Sequence, residues 1–201
     1  DGTERSEAWL QECFPDIPVL RVDRDTTRKK NAMQAMYDTV DSGAPCILVG
    51  TQMLAKGHHF ANITLVAVLD ADSGLMSPDF RSHERLGQLL TQVAGRCGRG
   101  TMPGKVILQT HQPDHPLLDV LTQQNYSDYS KLLRKQRRQS ELPPYKQLVL
   151  IRADAAHAQN AEAFLQSARQ CAEAIFPSGE TVNYLGPLPA LMERRNSRHR
   201  Y

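Results

Sequence analysis

TLVAVLDADSGLMSPDFRSHERLGQLLTQVAGRCGRGTMPGKVILQ, residues 64–109, decides how this chain folds. The stretch opens on a short apolar run, Thr64–Leu69, and closes on another, Lys105–Gln109. Runs this brief and this apolar fit buried strands better than helices. Between them Pro78 and Asp79 open a longer helix that continues to about Ala94, since proline is tolerated only in a first turn. Two strands joined through a helix pair in parallel, and a sheet of such strands needs helices over its faces. The expected fold class is therefore α/β, a parallel sheet lobe with helices on both faces.

The same alternation extends upstream. Thr3–Phe14 suits a helix and Pro18–Val22 (PVLRV) a short strand. Thr26 or Thr27 would cap a helix through Asp41, with Ala32, Met36 and Val40 on one face and Gly43 as its stop. Cys46–Val49 (CILV) is a further compact strand. Downstream the character changes. HQPDHP, residues 111–116, reads as a boundary, followed by helices over Leu117–Gln124 and Tyr126–Gln139. Leu142-Pro143-Pro144-Tyr145 ends the second, because two prolines cannot continue a helix. A strand over Gln147–Ala153, an amphipathic helix over His157–Phe176, a strand over Val182–Leu185 and a turn at Gly186–Pro189 complete the reading. The expected organisation is a first lobe over 1–112, a helical connector over 113–144, and the start of a smaller α/β (α+β) domain over 145–201. A strand, a helix and a strand make an incomplete layer, so that last domain is expected to be truncated.

Composition bounds the function classes. The chain is 40% hydrophobic and 23% charged, ordinary for a globular protein, and no apolar run is long enough for a transmembrane helix. The opening DGTER has no basic and apolar leader and reads as a cut inside a longer chain. Cys13, Cys46, Cys97 and Cys171 form no C-x-x-C pair, which speaks for neither a disulfide framework nor a zinc ribbon and fits a cytoplasmic, reducing setting. A net charge of +2 singles out no partner, but the cations are clustered. Arg134–Arg138 reads RKQRR, and the last eight residues, RRNSRHRY, hold four arginines, Arg194, Arg195, Arg198 and Arg200. Such clusters can track phosphates; they are also what a solvated helix face and a mobile end look like.

Two constellations carry chemistry. Gln92-Val93-Ala94-Gly95-Arg96-Cys97-Gly98-Arg99-Gly100 sets two arginines three apart at the end of a helix, among glycines that permit close approach. A guanidinium is a planar fork of donors that matches phosphate oxygens and never loses its charge, so the pair suits gripping a triphosphate. Val49-Gly50-Thr51-Gln52-Met53-Leu54-Ala55-Lys56-Gly57-His58-His59-Phe60 follows a strand, so Thr51 and Gln52 sit at its carboxyl end, where open α/β sheets bind ligands. A hydroxyl, an amide and the Lys56 charge can hold a phosphate without reading a base. His58 and His59 lack a third ligand nearby, so no metal is assigned to them. Asp70 and Asp72 fit turn formation better than a metal pair, and Asp79, Arg81, Glu84 and Arg85 are expected to form a charged network that orients the following helix.

The first constellation resembles the sixth motif of superfamily 2 helicases, Q-x-x-G-R-x-G-R, and the second their fifth, T-x-x-x-x-x-G-x-[D/H]. The resemblance implies a RecA-like lobe whose arginines reach across a cleft to nucleotide held by a companion lobe. Arg99 is then the expected arginine finger, Arg96 its partner at the γ-phosphate, and Gln92 a residue that positions that phosphate or the attacking water. Gly57, His59 and Gly95 would lie near the nucleotide, and Thr51, Gln52 and Lys56 on the nucleic-acid backbone. The wording between the motifs narrows the likeness. GTQMLAKGHHF, SPDFRSHER at 77–85, ELPPY at 141–145 and LGPLPA at 185–190 resemble the PriA family of replication-restart helicases, over about residues 14–201. Cys97 departs from the alanine common in that family and keeps the side chain small.

That resemblance implies an ATP-dependent 3′-to-5′ DNA helicase that restarts stalled forks and assembles the primosome. It would use ATP and Mg2+, with zinc held only by a segment upstream of these residues. Its implied partners are forked DNA with single-strand/duplex junctions, single-strand-binding protein, PriB, DnaT and other primosome components, with no membrane. A phosphate loop and an acidic magnesium motif are not among these residues, so the chain alone is expected to be inactive. The tail arginines are further candidates for fork contact. Two other readings stay open: a RecG-like fork-remodelling lobe, and a nucleic-acid-binding scaffold without motor ancestry.

Overall fold

The computed structural model describes residues 2–23, 30–51, 63–95, 97, 103–179 and 181–201, with the backbone alone described for 30–33. The chain forms two compact units, Asp1–Tyr145 and Lys146–Tyr201.

The first unit runs α1 (Thr3–Cys13), β1 (Val19–Val22), α2 (Lys30–Asp41), β2 (Ile47–Gly50), β3 (Leu65–Val68), α3 (Asp72–Leu75), α4 (Ser82–Ala94), β4 (Lys105–Leu108), α5 (Pro116–Gln123) and α6 (Tyr126–Gln139). The parallel pairing expected from strand–helix–strand alternation is observed. β1 pairs with β2 from Val19↔Ile47 to Val22↔Gly50, and β3 with β4 from Leu65↔Lys105 to Val68↔Leu108. Around the first pair, Val22 and Met36 are buried against Leu20, Tyr37, Val40, Leu48 and Ile63. Arg21 ties α1 to β1, with its Nη1 2.8 Å from Glu4 and 3.2 Å from Asp23.

The larger core lies beside the second pair. Ala71, Leu75, Leu86, Leu90, Leu117, Leu118, Tyr129 and Leu133 form it, with Val68 and Leu108 packed on from the strands. β3 and β4 alternate, so Val66 and Val106 are half-buried while Leu65 and Ile107 stay exposed. α4 buries Leu86, Gly87 and Leu90, and α6 buries Tyr129 and Leu133, each one helical turn apart on a single face. The Tyr129 ring lies against Gly87, where any Cβ would overlap its Cε1. Its hydroxyl donates to the His83 carbonyl at 2.6 Å, which satisfies the polar tip of a side chain only 1% exposed.

The ends of these helices follow their capping chemistry. His115 accepts from Leu117 N–H at the start of α5, with Pro116 in the first turn, and Asn125 accepts from Asp128 N–H at the start of α6. α4 begins at Ser82 rather than at Pro78. The Asp79 carboxylate accepts from Arg81 N–H at 2.9 Å and from Arg85 Nη1 at 2.9 Å, which makes a side-chain-closed turn of the residues expected to be the first helical turn.

The second unit holds α7 (Ala158–Ile175) and a three-stranded antiparallel sheet in the order β5 (Asp154–Ala155), β7 (Arg198–Arg200), β6 (Arg194–Arg195). The strands expected over 147–153 and 182–185 do not form. Leu148, Val149, Leu150 and Ile151 are 55–83% exposed, with no strand beside them among the described residues. A strand exists by pairing, and apolar content alone does not provide a partner. The pairing goes instead to the arginine-rich end. Asn196 and Ser197 both take left-handed φ, 50° and 61°, and turn β6 into β7 as a two-residue hairpin. The arginine-rich end, for which the sequence left a mobile end open, is paired into this sheet. Arg198 Nη2 donates to the Asp154 carbonyl at 2.8 Å, and Arg200 Nε donates to its carboxylate at 3.1 Å. No described helix is long and apolar enough to cross a membrane.

Candidate nucleotide and nucleic-acid site

Thr51 follows the last residue of β2 directly, exposed and in a bend at the carboxyl end of the β1–β2 pair. That is the position expected for it. Gln52, Lys56, Gly57, His58 and His59 lie outside the described residues, as do Arg96 and Arg99.

Gln92 and Gly95 lie at the far end of α4. Gln92 is exposed in the last turn. Gly95 caps the helix, its N–H donating to the Thr91 carbonyl at 3.0 Å. Its φ of −68° is ordinary, so no special backbone conformation demands glycine there. Cys97 N–H donates back to the Val93 carbonyl at 3.2 Å, and its Sγ donates to the Lys105 carbonyl at 3.4 Å. Lys105 is the first residue of β4, so the end of α4 is fastened to the amino edge of the β3–β4 pair. The two constellations thus sit at different strand ends, Thr51 at a carboxyl edge and Gln92 with Gly95 at an amino edge. A helix C-terminus carries partial negative charge. An anion held at this end of α4 must therefore be held by cationic side chains beyond Gly95, which is where the sequence has Arg96 and Arg99.

The carboxyl edge of β3–β4 is occupied by a closed polar knot. Asp72 accepts from Thr110 Oγ1 at 2.6 Å, from His111 N–H at 2.9 Å and from His111 Nδ1 at 2.7 Å. The Thr110 hydroxyl, with help from both His111 contacts, holds its pKa down to about 2. Asp70 adopts a left-handed φ of 54° and accepts from Ser73 N–H at 3.1 Å. Asp70 therefore closes a turn, as the sequence suggested, whereas Asp72 ties the start of α3 to the residues after β4. Among the described residues no group of three or more His, Cys, Asp and Glu gathers as a metal site would require.

The charged network expected around Asp79–Arg85 reaches further than the sequence indicated. Glu84 meets Arg137 of α6 at 2.7 Å, and the Arg137 guanidinium lies 5.1 Å from the Phe80 ring, with Arg81 at 5.2 Å. Arg137 also donates to the Phe80 carbonyl at 3.3 Å. One member of the RKQRR cluster is thus structural. No local pattern signals this, because its partners lie more than fifty residues away.

Comparison with known proteins bears on the same residues. The helicase conserved C-terminal domain matches residues 2–101, and the primosomal protein N C-terminal domain matches residues 138–201. The chain belongs to the PriA family. The replication restart protein PriA of Haemophilus influenzae is 43% identical over 200 residues, covering 100% of this chain and 27% of that protein. Its counterpart in Synechocystis is 42% identical over 200 residues, with 100% and 24% covered, and that of Bacillus subtilis 38% over 200 residues, with 100% and 25% covered. The chain thus spans about a quarter of the length of these PriA relatives. The helicase match takes in both candidate constellations, and between the two matches lie β4, α5 and most of α6. Residues 2–101 accordingly belong to a RecA-like α/β lobe, and the chain carries the part of PriA that leads from that lobe into the C-terminal domain.

Proposed function

We propose that this chain supplies the second RecA-like lobe, and the beginning of the C-terminal domain, of an ATP-dependent 3′-to-5′ DNA helicase that restarts stalled replication forks. The observation that carries the reading is the separation of the two constellations. Thr51 stands at the carboxyl end of β2, suited to nucleic-acid backbone contact together with Gln52 and Lys56. Gln92 and Gly95 stand at the amino edge of β4, suited to nucleotide contact together with Arg96, Arg99, Gly57 and His59. A motor needs both ends of one rigid lobe addressed to different ligands, so that a change at the nucleotide moves the strand. A passive scaffold has no use for a second, guanidinium-bearing end.

In this reading ATP and Mg2+ are held largely by a companion lobe, and zinc by a segment outside these residues. Bound nucleotide supplies the phosphoryl chemistry. Arg99 and Arg96 would neutralise charge spread over the transferring group, and Gln92 would orient the phosphate or the water. The name of the relatives supports fork restart and primosome assembly over a RecG-like role. DNA forks, single-strand-binding protein, PriB and DnaT are the partners the proposal carries, in the cytoplasm. These 201 residues by themselves should not turn over ATP, since they contain no G-x-x-x-x-G-K-[ST] loop.

The test is Arg99→Ala in the protein with both lobes. DNA-stimulated ATP turnover should fall by roughly 10³-fold or more while DNA binding is retained. Normal turnover, or lost DNA binding with turnover intact, rejects the assignment.

A further inference from the structure

Four cations of α6 fall on one stripe. Lys131, Arg134, Lys135 and Arg138 are spaced i, i+3, i+4, i+7 and are all exposed, on the side away from buried Tyr129 and Leu133. Together with Tyr145 they line an open groove of about 240 Å³. Tyr145 closes one end of it. The chain turns back after α6, with Leu142 N–H donating to the Arg137 carbonyl at 2.8 Å and Tyr145 N–H to the Leu142 carbonyl at 3.0 Å. This seats the ring 5.1 Å beneath the Arg138 guanidinium.

A structural explanation accounts for only part of the stripe. Arg137, one residue away, is spent on Glu84 and Phe80 and is not in the groove. Lys131 pairs with Asp128 at 2.8 Å, but that carboxylate also accepts from the Asn125 cap and does not line the groove. Arg134 and Lys135 form no ion pair among the described residues. The C-terminal half of a helix repels anions through its dipole, so an anion here must be held by the side chains.

We propose that this groove binds the phosphate backbone of nucleic acid, as a contact separate from the Thr51 edge. Seven residues of helix advance about 10 Å, enough for side chains to reach two or three successive phosphates of one strand, which advance about 3.4 Å each along the duplex axis. Lysines and arginines on a helix, with a single aromatic ring engaged by an arginine, suit backbone tracking rather than base reading. The choice of nucleic acid among polyanions rests on the helicase reading; the anion groove itself does not.

The test uses the chain with Arg134→Gln and Lys135→Gln together, a change that keeps good helix formers on an exposed face. A labelled forked duplex is titrated by fluorescence anisotropy between about 50 and about 200 mM salt. The slope of log K against log salt should lose roughly 1.4 to 1.8 in magnitude, corresponding to two phosphates, and affinity at low salt should fall roughly fivefold or more. A charge-matched control, Arg5→Gln with Arg152→Gln, should leave the slope near its starting value. An equal loss in the control, or an unchanged slope in the groove variant, overturns the proposal. So does a groove variant that loses binding to a polyglutamate probe and keeps binding to DNA, which would mark an acidic protein partner. Each of these outcomes leaves the Arg99 turnover test untouched, so the two readings fail separately.

Discussion

Replacing Gly87 by alanine sets two effects of known sign against each other inside one helix turn. Glycine within a helix costs about 1 kcal/mol relative to alanine, so at an indifferent position Gly87→Ala stabilises α4 by about that amount. Gly87 is not indifferent. A Cβ built there would overlap Cε1 of Tyr129 and lie 2.9 Å from Cδ1 and 3.0 Å from Cζ. The ring cannot step aside cheaply. It is 1% exposed, belongs to the main core of the unit, and its hydroxyl is held at 2.6 Å by the His83 carbonyl on the same helix. Overpacking of this kind costs about 1–3 kcal/mol, and the anchored ring puts the cost toward the upper end. The net expectation is a loss of about 1–2 kcal/mol, or a melting temperature lower by roughly 3–6 °C for a chain of this size. Calorimetry of the 201-residue chain measures it. A melting temperature that rises by the propensity gain would refute the packing account. A second arm guards the inference. On a Tyr129→Leu background the same Gly87→Ala change should become neutral or stabilising, and additivity of the two substitutions would show that they do not touch.

Asp72 has a folded-state pKa depressed to about 2 by Thr110 and His111, below its ordinary 3.8. Its contribution is thus full above about pH 4 and lost as pH falls toward 2. Asp72→Asn should therefore lower thermal stability at neutral pH, with the gap from the parent narrowing on acidification, read by melting curves at stepped pH. Burial pushes the Tyr129 phenol well above its usual pKa of 10. Absorbance titration should accordingly leave one of the six tyrosines un-ionised until the fold gives way in alkali, and smooth titration of all six near pH 10 would contradict its burial. Glu84→Gln should cost about 0.5–1 kcal/mol, and a double-mutant cycle with Arg137→Gln should return a coupling of that size, since the pair is only partly shielded from water.

Much of the first unit was legible because its elements are decided locally. The short apolar runs at 19–22, 47–50, 65–68 and 105–108 are strands, and the helix over Tyr126–Gln139 has the bounds its pattern predicts. Parallel pairing followed from the helices between the strands, which is a matter of chain connectivity. The candidate constellations were legible for a similar reason, as residue types at fixed spacing beside a strand end or a helix end. Thr51 does follow a strand, and Gln92 and Gly95 do end a helix; the remaining candidate site residues lie outside the described ones. The α6 stripe was only half seen. RKQRR looked like one cluster, whereas the helix turns Arg137 toward Glu84 and gathers Lys131 to the other three.

By itself the sequence determined most of the helices and strands of the first unit, the parallel sense in which its strands pair, and the family whose motifs they carry. Those properties depend on neighbours within a few residues or on the path between them. Tertiary structure alone decided that Leu148–Ile151 lie exposed outside any strand while the arginine-rich end is paired, that Gly87 exists to admit a tyrosine from 42 residues on, and that Asp72 is claimed by Thr110 and His111. Each of these joins residues about forty positions apart or more, or depends on a pairing partner being in reach. The physical quantities involved, pairing, volume and desolvated charge, have no value until the chain has brought the two sides together.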